Sequence, residues 1–402
     1  MSVRSPSRRP PDPSGPPDPA TVVVMKVIVV GAGVVGTMHA WHAVERGHEV
    51  VHIEREAEAR GASLRNFGQI WVSGRAGGEE LDTALRAREL WEGIGARVPG
   101  LGFRAIGSLT PVRNELELAV AEAAVARPDA AARGYKLLTA AEARAVNPAL
   151  RGAFEAALWC ERDAAVEPRL AQLALREALL ATGRYTFLPN REVRDVVGAN
   201  SNGCSAVRDD RGEVHTGDAV VLCTGAWLSG LVREVAGEIP VRRVRLQMMQ
   251  TEPLGEPLTT SVADADSFRY YPAYASPALD ALNEGQAQDP TAAAHKMQLL
   301  MVQRLDGGLT IGDTHEYEHP FAFDTLEDPY EHLTRVVESF LGRPLPKIRR
   351  RWAGVYAQCV DTSRVVHRQR VRDGVWLVTG PGGRGMTCSP AIAETTANEL
   401  GW

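Results

Sequence analysis

Six residues near the start of the chain, Gly31-Ala32-Gly33-Val34-Val35-Gly36, have the types and spacing that seat a pyrophosphate. Gly31 permits a tight turn, Gly33 lets the backbone approach the phosphates, and Gly36 lets the next helix pack close to a sheet. A helix opening there offers free N–H groups and the positive end of its dipole. The motif follows a β-branched run, VVVMKVIVV, and precedes a second strand-like run, HEVVHIER, that carries Glu54. An acid about 20 residues beyond the glycines is placed to bind ribose hydroxyls. Arg55 beside it suits an adenosine 2′-phosphate, or is simply an exposed arginine. Towards the other end of the chain, the glycines of Gly380-Pro381-Gly382-Gly383-Arg384-Gly385-Met386-Thr387 stand before a helical stretch. Such a loop also aims N–H groups at negative charge.

These residues need elements to hold them. VVVMKVIVV is a continuous apolar strand of the kind buried on both faces of a parallel sheet. With the helix TMHAWHAVERG and the strand after it, one βαβ unit is complete. Residues 79–97, 115–126, 170–181 and 328–342 read as helices, as does 387–400. YTFLP, REVRDVV, CSAVRDD and DAVVLCTGAW read as strands. VRRVRLQMMQTEP, FRYYPAY, MQLLMVQRL and LTIGDTHEYE predict an antiparallel sheet. The class is α/β, α+β overall: a Rossmann-like nucleotide-binding domain with an inserted, mainly antiparallel substrate domain. The pattern divides the chain into a nucleotide domain of 25–105, 159–240 and 353–402 and a substrate domain of 106–158 and 241–352.

Composition sets limits. The 402 residues suit about two domains. A net charge of −5 provides no basic field for nucleic acid or an anionic membrane. Only four of the 45 basic residues are lysines. The five cysteines show no CxxC spacing, which argues against zinc and for a reduced, cytoplasmic setting. No integral membrane segment is evident, since Thr21–Val30 is too short to span a bilayer. Residues 1–24 read as a disordered leader or as an upstream start before Met25. His39 and His42 have metal-like spacing but no further ligand nearby, so they read as helix-surface histidines, and no metal is expected.

Four segments together are similar to the D-amino-acid-oxidase-like, or glycine/sarcosine-oxidase-like, superfamily of FAD enzymes. They are Gly31–Gly36 with Glu54, the loop Gly61-Ala-Ser63-Leu-Arg65-Asn66-Phe67-Gly68-Gln69, the turn Thr224-Gly225-Ala226-Trp227, and the C-terminal glycine block. RNFGQIWVSG and GPGGRGMTCSPAIAE further resemble a bacterial subgroup associated with aminophosphonate breakdown. The resemblance implies FAD, held non-covalently, since Cys359 and Cys388 are placed differently from a cysteine that would bond it. It implies that Gly31, Gly33, Val34, Val35, Gly36, Glu54 and Arg55 serve the dinucleotide. Ser63, Asn66, Phe67 and Gly68 would border the flavin, Gly68 letting the chain cross its edge. Val193 would meet the adenine, and Thr224, Gly225 and Trp227 the dinucleotide, unless Trp227 is core. Gly380, Gly383, Arg384, Gly385, Met386 and Thr387 would stabilise charge at the flavin's N1/O2 edge. Asn66 has an alternative role as a turn-capping amide, and Arg384 as an exposed arginine.

The resemblance implies oxidation of a small primary or secondary amine, an aminophosphonate or amino acid, by hydride transfer to flavin N5 and hydrolysis of the imine. Gln69 would face the substrate. Arg269, His315 and Arg351 would grip a carboxylate or phosphonate, and Tyr271 and Tyr356 would orient it. Sarcosine-oxidase relatives keep a lysine beside the flavin that promotes reaction with oxygen; no lysine falls in the strands that would supply it. The electron acceptor is therefore O2 or a quinone, and a D-amino-acid-type dehydrogenase or a non-catalytic FAD-binding protein remain alternatives.

Overall fold

The computed structural model describes residues 23–201 and 203–402. The expected leader lies almost wholly outside them. The apolar run at the start forms the strand Lys26–Val30, buried along nearly its whole length. It is central because parallel neighbours hydrogen-bond to both its edges: Ala219–Leu222 on one side and Glu49–Ile53 on the other. The sheet has six strands. Val375–Thr379 adds parallel to Ala219–Leu222 and Tyr185–Leu188 adds parallel to Glu49–Ile53. His367–Arg372 closes one edge antiparallel. Three stretches distant in sequence thus build one doubly covered sheet. The helices Val34–Glu45 and Gly385–Glu399 pack together over it.

That packing corrects one expectation. His39 and His42 are buried, not surface residues. His42 Nε2 lies 2.9 Å from the Pro390 carbonyl on the C-terminal helix, and His39 Nδ1 lies 2.7 Å from the Val35 carbonyl.

The second large sheet has eight strands. Its long ribbon pairs Val241–Pro253 with Ile348–Cys359 in antiparallel register, Val241 opposite Cys359. Gly308–Gly312 and Leu300–Gln303 continue the antiparallel order. Ser261–Ala263 pairs parallel with Ser108–Val112, and Ala156–Cys160 and Tyr135–Thr139 complete the sheet. The strands Ala156–Cys160 and Ile348–Cys359 run across 158/159 and 352/353, two of the boundaries expected from sequence. The amphipathic helix Asp328–Leu341 covers one face with Tyr330, Leu333, Val337, Phe340 and Leu341.

The FRYYPAY segment is not a strand. It forms the helix Asp266–Tyr270 and a 3-10 turn, Pro272–Tyr274. Pro272 has no N–H for a sheet ladder. The Ser267 N–H donates to the Asp264 carbonyl, which starts a helical turn, and Phe268 and Tyr274 are drawn into the core.

One buried carboxylate joins the two sheets. Gln69–Ile70 pairs with Ala164–Ala165, and just beyond it Asp163 accepts the N–H groups of Val72 at 2.6 Å and Ser73 at 3.0 Å. It also accepts the hydroxyls of Ser73 and Ser108. The carbonyls of Val72 and Ser73 are taken by Arg133, and that of Ser73 also by Tyr135. Every polar group of this peptide is therefore satisfied from elements far apart in sequence.

Two predictions follow from these buried groups. Asp163→Ala strands two buried backbone N–H groups and the hydroxyls of Ser73 and Ser108, so stability should fall by about 3 kcal/mol or more. Differential scanning calorimetry of the FAD-loaded protein checks this, and a Tm within about 1 °C of wild type contradicts it. His52 is fully buried; its ring nitrogens meet the Tyr185 hydroxyl at 2.8 Å and the Gly31 carbonyl at 3.1 Å. Burial lowers its pKa to about 4 and that of His39 to about 3. Unfolded, both take a proton near 6.5, so the unfolded state binds more protons below that pH. Stability should be fully present above pH 6.5 and fall towards pH 4, at about 1.4 kcal/mol per pH unit for each histidine. His52→Gln should flatten the Tm-against-pH curve over that range; an unchanged slope contradicts the assignment.

Candidate active site

A cavity of about 1270 Å³ lies between the two large sheets. It exceeds the roughly 300–1,000 Å³ of ordinary small-ligand pockets, as an extended dinucleotide requires. The glycine turn forms part of its wall. Gly31 has φ +97°, and a Cβ there would lie 2.4 Å from the Cys223 carbonyl oxygen. A Cβ on Gly36 would lie 2.0 Å from the Gly31 carbonyl oxygen. Gly36 therefore serves helix packing and is not a lining residue, whereas Gly31, Gly33, Val34 and Val35 line the cavity.

Glu54 is buried at the end of its strand. Its carboxylate accepts the N–H groups of Ala32 at 2.7 Å and Glu56 at 3.0 Å, which fixes it beside the helix N-terminus. Arg55 is stacked over the Trp227 ring at 3.8 Å, and both line the cavity. Trp227 is 56% exposed, which excludes a core role. Val193 lines the same region, as do Thr224 and Gly225.

The loop from Gly61 to Gln69 divides its labour. Ser63 Oγ accepts the Val34 N–H at 2.8 Å, tying the loop to the helix start. Asn66 caps the turn: its Nδ2 donates to the carbonyls of Ala62 and Ser63, and its Oδ1 accepts the Gly68 N–H. The amide is spent on the protein, so Asn66 shapes the wall beside Phe67. Gly68 does not line the cavity. Its φ of +73° and a Cβ position 2.1 Å from the Val166 carbonyl oxygen show the close approach is to protein backbone. Gln69 does line it, buried, and neither atom of its side-chain amide has a partner within the protein.

The C-terminal block meets this loop. Thr387 Oγ1 accepts the Trp71 N–H at 2.9 Å and donates to the Gln69 carbonyl. Gly383, Gly385, Met386 and Thr387 line the cavity at the start of the helix Gly385–Glu399. Gly380 does not; its carbonyl accepts the Cys359 N–H, so it belongs to the packing beneath. Arg384 is neither exposed nor free to add charge. It is buried, donates to the carbonyls of Pro381, Thr362 and Arg364, and lies 3.4 Å from Glu80. It locks the loop.

Two long helices thus point their N-termini into one cavity, one beside an anchored acid. That arrangement, with the unpartnered Gln69 amide, fits FAD: a diphosphate at Val34–Glu45 and an electron-rich ring edge at Gly385–Glu399. Cys359 and Cys388 lie off the cavity wall, both buried.

The expected substrate residues separate into two groups. Tyr271 and Tyr356 line the cavity, and Tyr271 packs against Trp71 at 5.9 Å. Arg351 lies outside: it is exposed, pairs with Glu327 at 3.0 Å and stacks over Tyr330. Arg269 reaches the wall, but its guanidinium is committed to Asp266, Asn283 and the Gln286 carbonyl. His315 lines the wall but cannot grip an anion at neutral pH, because burial lowers its pKa to about 4.

Several lining residues escaped sequence reading. Arg75 is buried, donates to the Trp71 carbonyl at 2.8 Å, and lies 3.5 Å from Glu80 and 5.9 Å from the Tyr271 ring. Arg242 stacks over Tyr317 at 4.4 Å. Tyr270, Gln298 and Asp313 share that wall. None has a motif; only folding shows which arginines and acids are buried. Away from the cavity, Asp209, Glu213 and His215 gather within 4.8 Å, but Arg191 occupies the cluster, 2.7 Å from Asp209.

Comparison with known proteins agrees with this geometry. The family described as FAD dependent oxidoreductase matches residues 26–399. Glycine oxidase of Pseudomonas aeruginosa is 25% identical over 391 residues, covering 93% of this chain and 94% of its own. Glycine oxidase from Bacillus cereus superposes with a TM-score of 0.74 at 18% identity, over 94% of this chain and 95% of that one. L-proline dehydrogenase from P. horikoshii gives a TM-score of 0.74 at 22% identity, over 94% and 93%. With a family match spanning nearly every ordered element, this chain belongs to the FAD-dependent oxidoreductases related to D-amino-acid oxidase.

Proposed function

We propose that the protein oxidises a small primary or secondary amine that also carries an acidic group, an amino acid or an aminophosphonate. The observation that carries this reading is the part of the cavity wall that Trp71, Tyr270, Tyr271, Tyr317 and Tyr356 contribute together with Asp313, Arg75 and Arg242. It is mostly aromatic and carries both acidic and basic side chains. When bound, FAD accepts a hydride from the carbon next to the amine nitrogen. The protein's residues bind and orient. Gly33, Val34 and Val35 receive the diphosphate, and Glu54 the ribose. Ser63, Phe67 and the Gly383–Thr387 turn border the flavin, and the Gln69 amide has hydrogen bonds to offer there. The rings exclude water, and Arg242, whose Nε and Nη2 donate to Gln358 Oε1, turns its remaining Nη1 donors to the acidic group. The released imine hydrolyses to an aldehyde or keto acid.

The nucleotide and substrate parts of the chain correspond to the six-stranded and eight-stranded sheets in this reading, and a cytoplasmic setting agrees with five cysteines that show no CxxC spacing. No helix among the described residues is long and apolar enough to cross a membrane. A second reading concerns the acceptor. No lysine lines the cavity among the described residues, which favours a quinone or carrier over O2.

Anaerobic mixing of the FAD-loaded protein with glycine, sarcosine, 2-aminoethylphosphonate, its N-methyl form and several D-amino acids should bleach the visible flavin band with at least one of them. No bleaching with any of them ends the amine reading. Hydrogen peroxide release on admitting air separates oxidase from dehydrogenase. Glu54→Gln should weaken FAD binding about tenfold or more, read by fluorescence of released flavin, because a charged acceptor for ribose hydroxyls is replaced by an amide. Unchanged FAD affinity would remove Glu54 from the site.

A further inference from the structure

Asp313 follows the strand Gly308–Gly312 and lies buried on the cavity wall. Its Oδ1 accepts from Gln298 Nε2 at 2.9 Å. No arginine or lysine forms an ion pair with it among the described residues. Its ion-pair neighbour is His315, whose Nε2 lies 4.0 Å from Oδ2. His315 Nδ1 lies 3.0 Å from the Lys296 carbonyl, which can only accept, so Nδ1 carries the ring proton. Burial holds the second proton off at neutral pH. His315 Nε2 therefore turns a lone pair, and no proton, towards Asp313. Gln298 gives its Nε2 to Asp313, and its Oε1 has no partner. Asp313 Oδ2, Gln298 Oε1 and His315 Nε2 make a corner rich in acceptors and poor in donors.

A buried carboxylate without a cation is costly, and burial pushes the Asp313 carboxyl well above the usual range. The surroundings favour positive charge. The Tyr270 ring stacks on His315 at 4.4 Å and Tyr317 stacks at 6.3 Å. Tyr271 stands perpendicular to Tyr270 at 4.9 Å. The charge of Asp313 acts on Tyr270, Tyr271, Tyr317 and Tyr356 alike. Aromatic faces attract cations, most strongly where water is excluded.

We propose that Asp313, with Gln298 and His315 inside these four tyrosines, seats the protonated amine nitrogen of the substrate and makes the site select cationic primary and secondary amines over their hydroxyl analogues. The proposal rests on the amine reading of this cavity, but it concerns binding, which is separable from oxidation. An ammonium supplies two or three N–H donors and the missing positive charge. A hydroxyl supplies one donor and no charge. Arg242, over Tyr317, then lies on the side where a zwitterion's acidic group would rest.

Anaerobic stopped-flow titration of the FAD-loaded protein tests this, with Kd read from the flavin absorbance perturbation that precedes reduction. The probes are sarcosine, 2-aminoethylphosphonate and its N-methyl form, set against glycolate and 2-hydroxyethylphosphonate. Wild type should bind the amines about tenfold or more tighter than the hydroxyl analogues. Asp313→Asn, which keeps the shape, should raise the amine Kd about 30-fold or more and leave that of the hydroxyl analogues within about threefold. Gln298→Met, which leaves the charge in place, should raise the amine Kd about fivefold or more. FAD content and Tm report on folding in both variants. The proposal is overturned if Asp313→Asn binds amines as wild type does, if it loses both ligand classes equally, or if wild type binds no amine. Amine binding without flavin bleaching would uphold the seat and overturn the oxidation reading.

Discussion

The dipeptide stretch Val72-Ser73 is where the architecture is held together. A fully buried carboxylate, Asp163, takes both N–H groups, and the fully buried Arg133 takes both carbonyls. Hydrogen bonds from both sides leave these two residues a single low-energy position, since any shift strands buried polar groups. From this point the chain runs back through Trp71 and Gln69, which face the cavity, and forward to Arg75 under Tyr271. Thr387 bridges the same segment to the C-terminal helix. The distant ends of the sequence therefore meet around a backbone whose position is set from both sides.

Charge in the cavity is divided by function. The nucleotide region gathers helix N-termini and backbone N–H groups, which attract an anion without burying a mobile side-chain charge. The buried acid there, Glu54, is held by two backbone N–H groups and so keeps its orientation. The wall around Asp313 reverses this pattern, with acceptors and aromatic faces. Arginines that look suited to bind an anion are mostly consumed by structure. Arg384 holds three carbonyls and Arg269 three partners on its own subdomain. A buried guanidinium is stable only when its donors are spent, which removes it from chemistry.

The glycine turn, the acid 18 residues beyond Gly36, and the glycine block before the last helix were legible because each is local. A tight turn needs glycine, a strand buried on both faces needs continuous apolar residues, and a helix start exposes N–H groups whatever surrounds it. The family followed from those same segments. The strand expected at FRYYPAY failed because its aromatic, alternating pattern answers equally to a short helix whose rings are drawn into a core. His39 and His42 were placed on the surface because nothing in a helix's own sequence shows that a second helix, from the far end of the chain, will cover it.

The sequence by itself determined the βαβ start and its glycine turns, because backbone geometry near glycine depends on neighbours a few residues away, and the cofactor and the class of reaction followed from the family those segments resemble. Only the tertiary structure decided which polar side chains line the cavity. Arg351 faces out while Tyr356, on the same strand, faces in; Asp313, without a motif, lies buried on the cavity wall. The reason is that burial and partnership are properties of contacts between distant segments. A charge becomes a binding group only where the fold leaves it enclosed and unpaired.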